Sequence, residues 1–170
     1  TGSIVDAAGD SGGTAGPLVS VVLPAYNEED TIETTVERTL KQLGSFLPTG
    51  SFEVIVAEDG CEDRTPEIAT RLAADDDHVR HFHSEQRLGR GGALEQAFSA
   101  ADGDVLAYLD TDMATDMRHL EELIERVRTG ANDIVTGSRW LPDSDADRPA
   151  ERGIPSRAFN FLVRLVLRSE

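Results

Sequence analysis

Two aspartates with one residue between them stand directly after an apolar run and have the spacing of a metal-binding pair. Asp110 and Asp112 follow the run DVLAYL, and in an extended segment side chains at i and i+2 project to the same side. Such carboxylates, completed by the phosphates of a substrate, suit Mg²⁺ or Mn²⁺. The cation would neutralise charge that develops on a departing diphosphate. The same spacing occurs in plain acidic turns, but its place after a buried strand favours a metal site.

Polar side chains also follow two other apolar runs, LVSVVL and FEVIVA. Asp59, after the second run, is suited to accept a hydrogen bond from a nucleobase N–H group. After the first run, Tyr26 is suited to stack on that base and Glu28 to contact the ribose. Asn27 is interpreted instead as a cap of the helix that follows it, and Asp63 or Thr65 as the cap of the next helix, with Asp63 favoured.

Residues 87–93, with the sequence RLGRGGA, place three glycines and two arginines before a predicted helix. This arrangement brings backbone N–H groups and positive charge toward a phosphate. It is not a dinucleotide fingerprint, because a GxGxxG segment would follow the first strand. A close-packed helix start explains the glycines equally well, and both interpretations stay open.

An alternation of apolar runs and helical segments must position these residues. The runs lie at 18–23, 52–57, 79–83, 104–109 and 133–137, and segments with helical spacing of apolar residues lie between them. Five such steps predict an α/β fold with a mostly parallel, twisted sheet flanked by helices on both faces. Ligands bind outside the carboxyl ends of such strands, which is where the polar residues stand.

The composition favours one globular domain. A chain of 170 residues can bury one core, which we assign to residues 18–170, whereas the Gly-, Ala-, Ser- and Asp-rich residues 1–17 are predicted to be a disordered leader or an expression remnant. With 32 acidic and 16 basic residues the net charge is −16, so nucleic acid is not an expected partner. Acid-rich chains with a single lysine resemble those of salt-adapted organisms, and stability is expected to rise with salt.

The cysteine and histidine content offers no obvious zinc motif. Cys61 is the single cysteine, so an internal disulfide and a cysteine cluster are both excluded. His81 and His83 alternate on a predicted strand and are interpreted as packing or solvent-facing residues rather than metal ligands.

The C-terminal segment has the pattern of a basic amphipathic helix. Arg157, Arg164 and Arg168 fall on one helical face, and apolar side chains share the other. Such a helix suits a membrane interface, where Arg148, Arg152 and Arg157 would meet an anionic lipid head group. A helix packed on the domain core explains the pattern equally well. A membrane span is excluded for this segment because its apolar stretch is short and broken by arginine.

Taken together, these segments resemble the family 2 glycosyltransferases, and within them the dolichol-phosphate mannose and glucose synthase group. The resemblance covers roughly residues 18 to 168, through VSVVLPAYNEEDTIE, VIVAEDGCEDRTPEIA, RLGRGGALEQAF, GDVLAYLDTDMATD, and DIVTGSRWLPDSD with SRAFNFLVRLVL. It implies the GT-A fold, a Rossmann-like nucleotide-sugar-binding fold. The composition further suggests a halophilic archaeal source.

The resemblance also implies roles for individual residues. The expected catalytic set is Asp110 and Asp112, which bind the metal, together with Arg139, whose guanidinium would bind phosphate oxygens through two hydrogen bonds. We assign donor-nucleotide binding to Pro24, Tyr26, Glu28, Ala57, Asp59, Arg90 and Thr111. We assign acceptor-phosphate binding to Arg139, Arg148, Arg152, Ser156 and Arg157.

Two positions depart from the family pattern. Cys61 stands where serine is usual, and Ala114 stands where the synthases often have a glutamine that helps to hold the metal. The metal is therefore expected to bind less tightly or to have water in place of that ligand.

The expected function is transfer of a hexose, mannose or glucose, from a GDP- or UDP-linked sugar to a polyprenyl (dolichyl) phosphate at the cytoplasmic, inner face of the cell membrane. An acceptor phosphate is already ionised at neutral pH, so direct displacement needs no strong base and inverts the anomeric carbon. A transferase that extends a saccharide stays open as an alternative. A non-catalytic nucleotide-sugar-binding module also stays open, because the family continues beyond the position of Glu170 and the GT-A domain is expected to be cut short there. A phosphotransferase with an aspartate nucleophile is disfavoured, since the Asp pair follows the fourth strand rather than the first.

Overall fold

The computed structural model describes residues 3–5, 19–111 and 117–137. The chain divides into two compact units, Thr1–Val135 and Thr136–Glu170, and every element named below lies in the first. The longest described helix has 13 residues, and none of the described helices is long and apolar enough to cross a membrane. The elements in chain order are β1 (Ser3–Val5), β2 (Val19–Ala25), α1 (Ile32–Gly44), β3 (Phe52–Asp59), α2 (Thr65–Asp75), β4 (Val79–Ser84), α3 (Gly89–Ala100), β5 (Val105–Tyr108), a 3-10 turn (Met117–His119) and α4 (Leu120–Arg128).

The strands form one sheet in the order β1-β4-β3-β2-β5. β2, β3, β4 and β5 run parallel, in a register that places Val21 opposite both Val54 and Ala107. β1 pairs antiparallel with β4 at the edge. The mostly parallel sheet predicted from the alternating runs is therefore confirmed.

Two strand predictions differ from the structure. Residues 3–5 belong to the segment expected to be disordered, yet they form β1 through backbone pairing with β4. The run 133–137 was assigned a fifth parallel strand, but in the described part of the chain it forms none. That prediction rested on Ile134 and Val135, which are not buried, and Ile134 is 86% exposed. A strand also needs a partner for its backbone groups, and this run has no described neighbour in the sheet.

The sheet is covered by helices on both faces because neighbouring strand residues point to opposite sides. Val21, Leu23 and Val54 pack with α1, α2 and α4 in the larger core. Val22 and Ile55, one position away in each strand, pack with α3 in a smaller core. The helices on both faces that the sequence predicts are thereby confirmed.

A buried polar network closes the amino-terminal end of the sheet. Glu53, only 4% exposed, accepts hydrogen bonds from the Ser20 hydroxyl at 2.5 Å, the Asp102 N–H at 2.9 Å and the Arg80 guanidinium at 2.8 Å. Gly103 approaches β2 so closely that an added Cβ would lie 2.5 Å from the Ser20 oxygen. This end is occupied by structural contacts, which leaves the carboxyl end of the strands as the place for a site.

Candidate functional site

The carboxyl ends of β2, β3, β4 and β5 bring together residues that are distant in sequence. The Arg87 guanidinium lies 3.3 Å from the centroid of the Tyr26 ring, and it donates to Asp59 Oδ1 at 2.9 Å. Three positions later, Arg90 forms an ion pair with Asp110, which follows β5. Two arginine–carboxylate pairs therefore stand at the start of α3, where the sequence predicts donor binding.

Asp59 anchors the glycine-rich segment to the end of β3. Its side chain is 4% exposed, and Oδ2 accepts the N–H groups of Leu88 at 2.7 Å and Gly89 at 2.6 Å. An ionised carboxylate has about four acceptor positions, so three protein donors leave one for a further N–H donor. The predicted contact with a nucleobase is compatible with this geometry but stays a prediction.

The glycine-rich segment begins a helix, in agreement with its interpretation as a close-packed helix start. α3 starts at Gly89, whose φ of +74° is a left-handed backbone conformation that favours glycine. Gly60, at φ +59°, lies under the same segment, because a Cβ there would be 2.9 Å from the Arg87 nitrogen. Phosphate contact by this segment stays a prediction.

Of the two aspartates in the predicted metal-binding pair, Asp110 belongs to the described residues and Asp112 does not. The Asp110 side chain is 39% exposed at the strand edge, so its carboxylate is open on one side and paired with Arg90 on the other. Thr111 is buried, and its carbonyl oxygen lies 3.3 Å from the Thr35 hydroxyl of α1, which has a shorter contact of 2.9 Å with the Thr31 carbonyl. A carboxylate at the end of a strand fits a hard divalent cation, which prefers oxygen ligands.

The loop after β2 is joined to the loop after β3. Asn27, at φ 55°, accepts the N–H of Glu62 at 2.8 Å, and Thr65 Oγ1 accepts the N–H of Glu28 at 2.8 Å. The interpretation of Asn27 as a helix cap is wrong, because α1 begins at Ile32 and the Asn27 amide is used between the loops. The Glu28 carboxylate accepts the Thr31 hydroxyl at 2.7 Å, so its ribose contact stays a prediction.

Asp63 is not the cap of α2, because the N-cap is Arg64 and no side chain caps this helix; Asp63 instead forms a turn that leads into the helix. Its Oδ1 accepts the N–H of Thr65, the first residue of the helix, at 2.9 Å, and its Oδ2 accepts the Glu29 N–H at 3.1 Å. Burial is the largest single influence on the Asp63 carboxyl and opposes its ionisation, but the hydrogen bonds from Thr65 and Glu29 together lower the pKa of Asp63.

Pro24 and Ala57 lie opposite each other in β2 and β3, just inside the carboxyl ends of these strands. Ala57 is fully buried in the smaller core, whereas Pro24 is partly exposed. Their donor contacts stay predictions. Arg87 is a residue that our donor assignment omitted, although its place beside Arg90 in the glycine-rich segment was a usable signal.

Several predicted residues lie outside the described part of the chain. These are the second aspartate of the metal pair, the position of the missing glutamine, the phosphate-binding arginine and the acceptor set, namely Asp112, Ala114, Arg139, Arg148, Arg152, Ser156 and Arg157. The C-terminal segment predicted to form an amphipathic helix lies there as well.

Comparison with known proteins identifies the family of the chain. Over 156 residues, 92% of the chain, the sequence is 70% identical to glycosyltransferase AglD of Haloferax volcanii, of which it spans 25%. Over 150 residues, 86% of the chain, it is 31% identical to an undecaprenyl-phosphate 4-deoxy-4-formamido-L-arabinose transferase of Pectobacterium carotovorum, of which it spans 43%.

Among solved structures, the mannosyltransferase PcManGT of Pyrobaculum calidifontis, in complex with GDP-Man and Mn²⁺, superposes with a TM-score of 0.57 at 26% identity. The match covers 67% of this chain and 33% of that one, and it identifies the fold as GT-A. The model of the family "Glycosyl transferase family 2" matches residues 20–167. The chain belongs to glycosyltransferase family 2.

Proposed function

We propose that this chain forms the donor-binding part of an inverting transferase that moves a hexose, mannose or glucose, from a nucleotide sugar to a polyprenyl phosphate. The observation that carries the proposal is the strand edge where Tyr26, Arg87 and Asp59 stand beside Arg90 and Asp110. This edge combines a surface for a nucleoside with two groups for a diphosphate. The Arg90 guanidinium would contact its oxygens, and the Asp110 carboxylate would hold the metal.

The nucleoside half of the site uses an aromatic ring and a buried carboxylate. Tyr26 is 39% exposed, which leaves ring surface for a base to stack on. The Arg87 guanidinium lies over one face of the ring and donates to Asp59 Oδ1. It therefore holds the Tyr26 ring and the Asp59 carboxylate in position relative to each other. The remaining acceptor position of Asp59 would select a base with an N–H donor, as both guanine and uracil have.

The diphosphate half of the site uses Arg90 and Asp110. Arg90 is 56% exposed and has a charged partner in Asp110, so its guanidinium is held at the edge before any donor arrives. With a donor bound, Arg90 would turn to the diphosphate oxygens and free Asp110 for the metal. Bound Mg²⁺ or Mn²⁺ would neutralise charge on the leaving diphosphate. We place Asp112 and Arg139 in the same catalytic set.

The acceptor half of the proposal is supported by a relative and by simple chemistry. The Pectobacterium transferase is named for an undecaprenyl-phosphate substrate. A lipid phosphate attacks as an anion, so the protein needs to orient it and to neutralise charge rather than to supply a base. We assign that orientation to the acceptor arginines from 139 to 157 and place the reaction at the cytoplasmic face of the membrane.

A transfer assay tests the proposed function. Purified chain in molar KCl is given radiolabelled GDP-mannose or UDP-glucose, Mn²⁺ and a short-chain polyprenyl phosphate, and label that extracts into organic solvent is counted. The proposal predicts extractable label. Label in an added oligosaccharide instead would support the saccharide-extending alternative and contradict the lipid acceptor.

Arg90→Ala is predicted to weaken donor binding by about 10- to 100-fold, because a hydrogen bond to a charged group contributes roughly 1.5–3 kcal/mol. The matched control is Arg64→Ala, since Arg64 is 74% exposed and its guanidinium pairs with Glu67. Equal donor affinity in both variants, measured by calorimetry, would remove Arg90 from the site.

A further inference from the structure

A carboxylate and two imidazoles converge at the end of β3, on the face opposite to Asp59. Glu58 is fully buried, and the register of β3 and β4 places His83 directly opposite it, with His81 two residues earlier on the same face. His81 Nε2 lies 3.1 Å from Glu58 Oε1, and His83 Nδ1 contacts the same oxygen. The three ligand atoms all lie within 4.8 Å of one another.

The second oxygen of this carboxylate has no donor in hydrogen-bonding geometry among the described residues, although Glu58 Oε2 is buried. The Cys61 thiol stands near this carboxylate, and burial, with a smaller contribution from Glu58, raises the pKa of Cys61 to about 11. A buried polar atom without a partner costs about 1–3 kcal/mol, so such an atom calls for an explanation.

The hydrogen bonds of His81 indicate what faces the carboxylate. Thr70 donates its hydroxyl proton to the Pro66 carbonyl at 2.8 Å, so its oxygen is left to accept from His81 Nδ1 at 3.2 Å. With Nδ1 as the donor to Thr70, the 3.1 Å contact between His81 Nε2 and Glu58 Oε1 needs a cation, either a second ring proton or a metal ion.

We propose that Glu58, His81 and His83 bind a divalent transition-metal ion of the zinc class. Imidazole nitrogens suit Zn²⁺ and its neighbours, and one carboxylate with two histidines is a ligand set that zinc uses. Mg²⁺ prefers oxygen ligands in an octahedron and does not fit this set. The contact from His81 Nδ1 to Thr70 has the form of the outer hydrogen bond that orients a metal-binding histidine.

The site is separate in chemistry from the Asp110 position, and it would have a structural effect on the donor edge. Binding would link β3 to β4 immediately beside Asp59, which anchors the start of α3. It would also correct the interpretation of His81 and His83 as packing or solvent-facing residues. The sequence signal, two histidines at i and i+2 on one strand, gained meaning only when the register placed Glu58 opposite them.

Zinc titration of the full chain tests this site. Chain stripped with chelator and dialysed into chelator-free KCl buffer is titrated with Zn²⁺ by calorimetry and with Co²⁺ by visible absorption. We expect one tight Zn²⁺ per chain, a Co²⁺ spectrum of low coordination number, and no competition from excess Mg²⁺. Zn²⁺ should also raise the melting temperature.

His83→Gln is the diagnostic variant, because the His83 side chain is 37% exposed and its loss should leave the fold intact. It should weaken Zn²⁺ binding by at least about tenfold. His78→Gln is the matched control, since His78 also pairs with a carboxylate, that of Asp76, but lies outside the cluster. The proposal is overturned if the wild-type chain binds no Zn²⁺, because ring protons rather than a metal would then stabilise the cluster. It is also overturned if His83→Gln binds Zn²⁺ as tightly as His78→Gln.

Discussion

At the residue scale, Asp59 connects the frame of the molecule with the proposed donor site. It receives two backbone N–H groups from the start of α3 and an ion pair from Arg87, whose guanidinium in turn covers Tyr26. A change at this carboxylate should therefore affect both the fold and nucleotide binding. The sequence predicted the second role from its place after a buried strand and did not predict the first.

Asp59→Asn is predicted to lower the free energy of unfolding by about 1–3 kcal/mol, because an amide cannot accept all three donors and leaves a buried group unpaired. The measurement is denaturant unfolding in molar KCl. Asp75→Asn is the control, since the Asp75 side chain is 64% exposed and its change should stay within about 0.5 kcal/mol. Equal stability of the two variants would show that the Asp59 contacts are not formed in solution.

At the element scale, the segment that leads into β5 lies very close to β2, and this contact holds the edge strand in position. Gly103 stands just before β5, and its N–H donates to the Ser20 oxygen at 2.9 Å, which in turn contacts the buried Glu53. Neither the glycine nor the buried glutamate could be assigned from the sequence, because each depends on which strands are neighbours.

Gly103→Ala is predicted to destabilise the fold by about 1–3 kcal/mol, since the new methyl group would overlap the backbone of β2. Gly44→Ala is the matched control, because nothing lies within 4 Å of a Cβ at the end of α1. That variant should be neutral or slightly stabilising. Thermal unfolding of both would decide, and a Gly103→Ala chain as stable as the control would contradict the close approach.

The sequence predicted elements better than contacts, for physical reasons. Apolar runs mark parallel strands directly, so the sequence predicts β2, β3, β4 and β5, although Leu106 and Tyr108 of the edge strand β5 are exposed. β1 is a strand of only three residues. The run at 133–137 was overestimated because two apolar residues do not ensure burial. Asn27 was assigned to a cap because hydrogen bonds between loops, such as its bond to Glu62, leave no periodic pattern. For the same reason the Glu58 cluster was missed.

At the scale of the whole molecule, the net negative charge is expected to be the main influence on how stability depends on salt. The net charge of −16 is borne by a chain of 170 residues with 32 acidic side chains. Repulsion among exposed carboxylates opposes the compact state at low ionic strength. The screening length falls from about 10 Å at 0.1 M salt to about 3 Å at 1 M, which removes most of that repulsion.

The melting temperature is therefore predicted to rise by at least about 5 °C between 0.1 and 2 M KCl, since each kcal/mol shifts it by roughly 2–4 °C in a chain of this size. Calorimetric scans in KCl would be compared with scans in sucrose, which strengthens burial without screening charge. A melting temperature that is flat or falls in KCl would contradict charge repulsion as the limiting factor.

The central claim for the whole molecule is that the carboxyl edge of the sheet binds a nucleotide sugar with a divalent metal. Calorimetric titration of the chain with GDP, UDP and their mannose and glucose conjugates, in molar KCl with Mn²⁺ and again with chelator, tests it most directly. We predict that one nucleotide and its sugar conjugate bind with Mn²⁺ and lose most of their affinity in chelator. Binding that is equally strong in chelator would contradict the metal site, and no binding by any of these compounds would contradict the donor site itself.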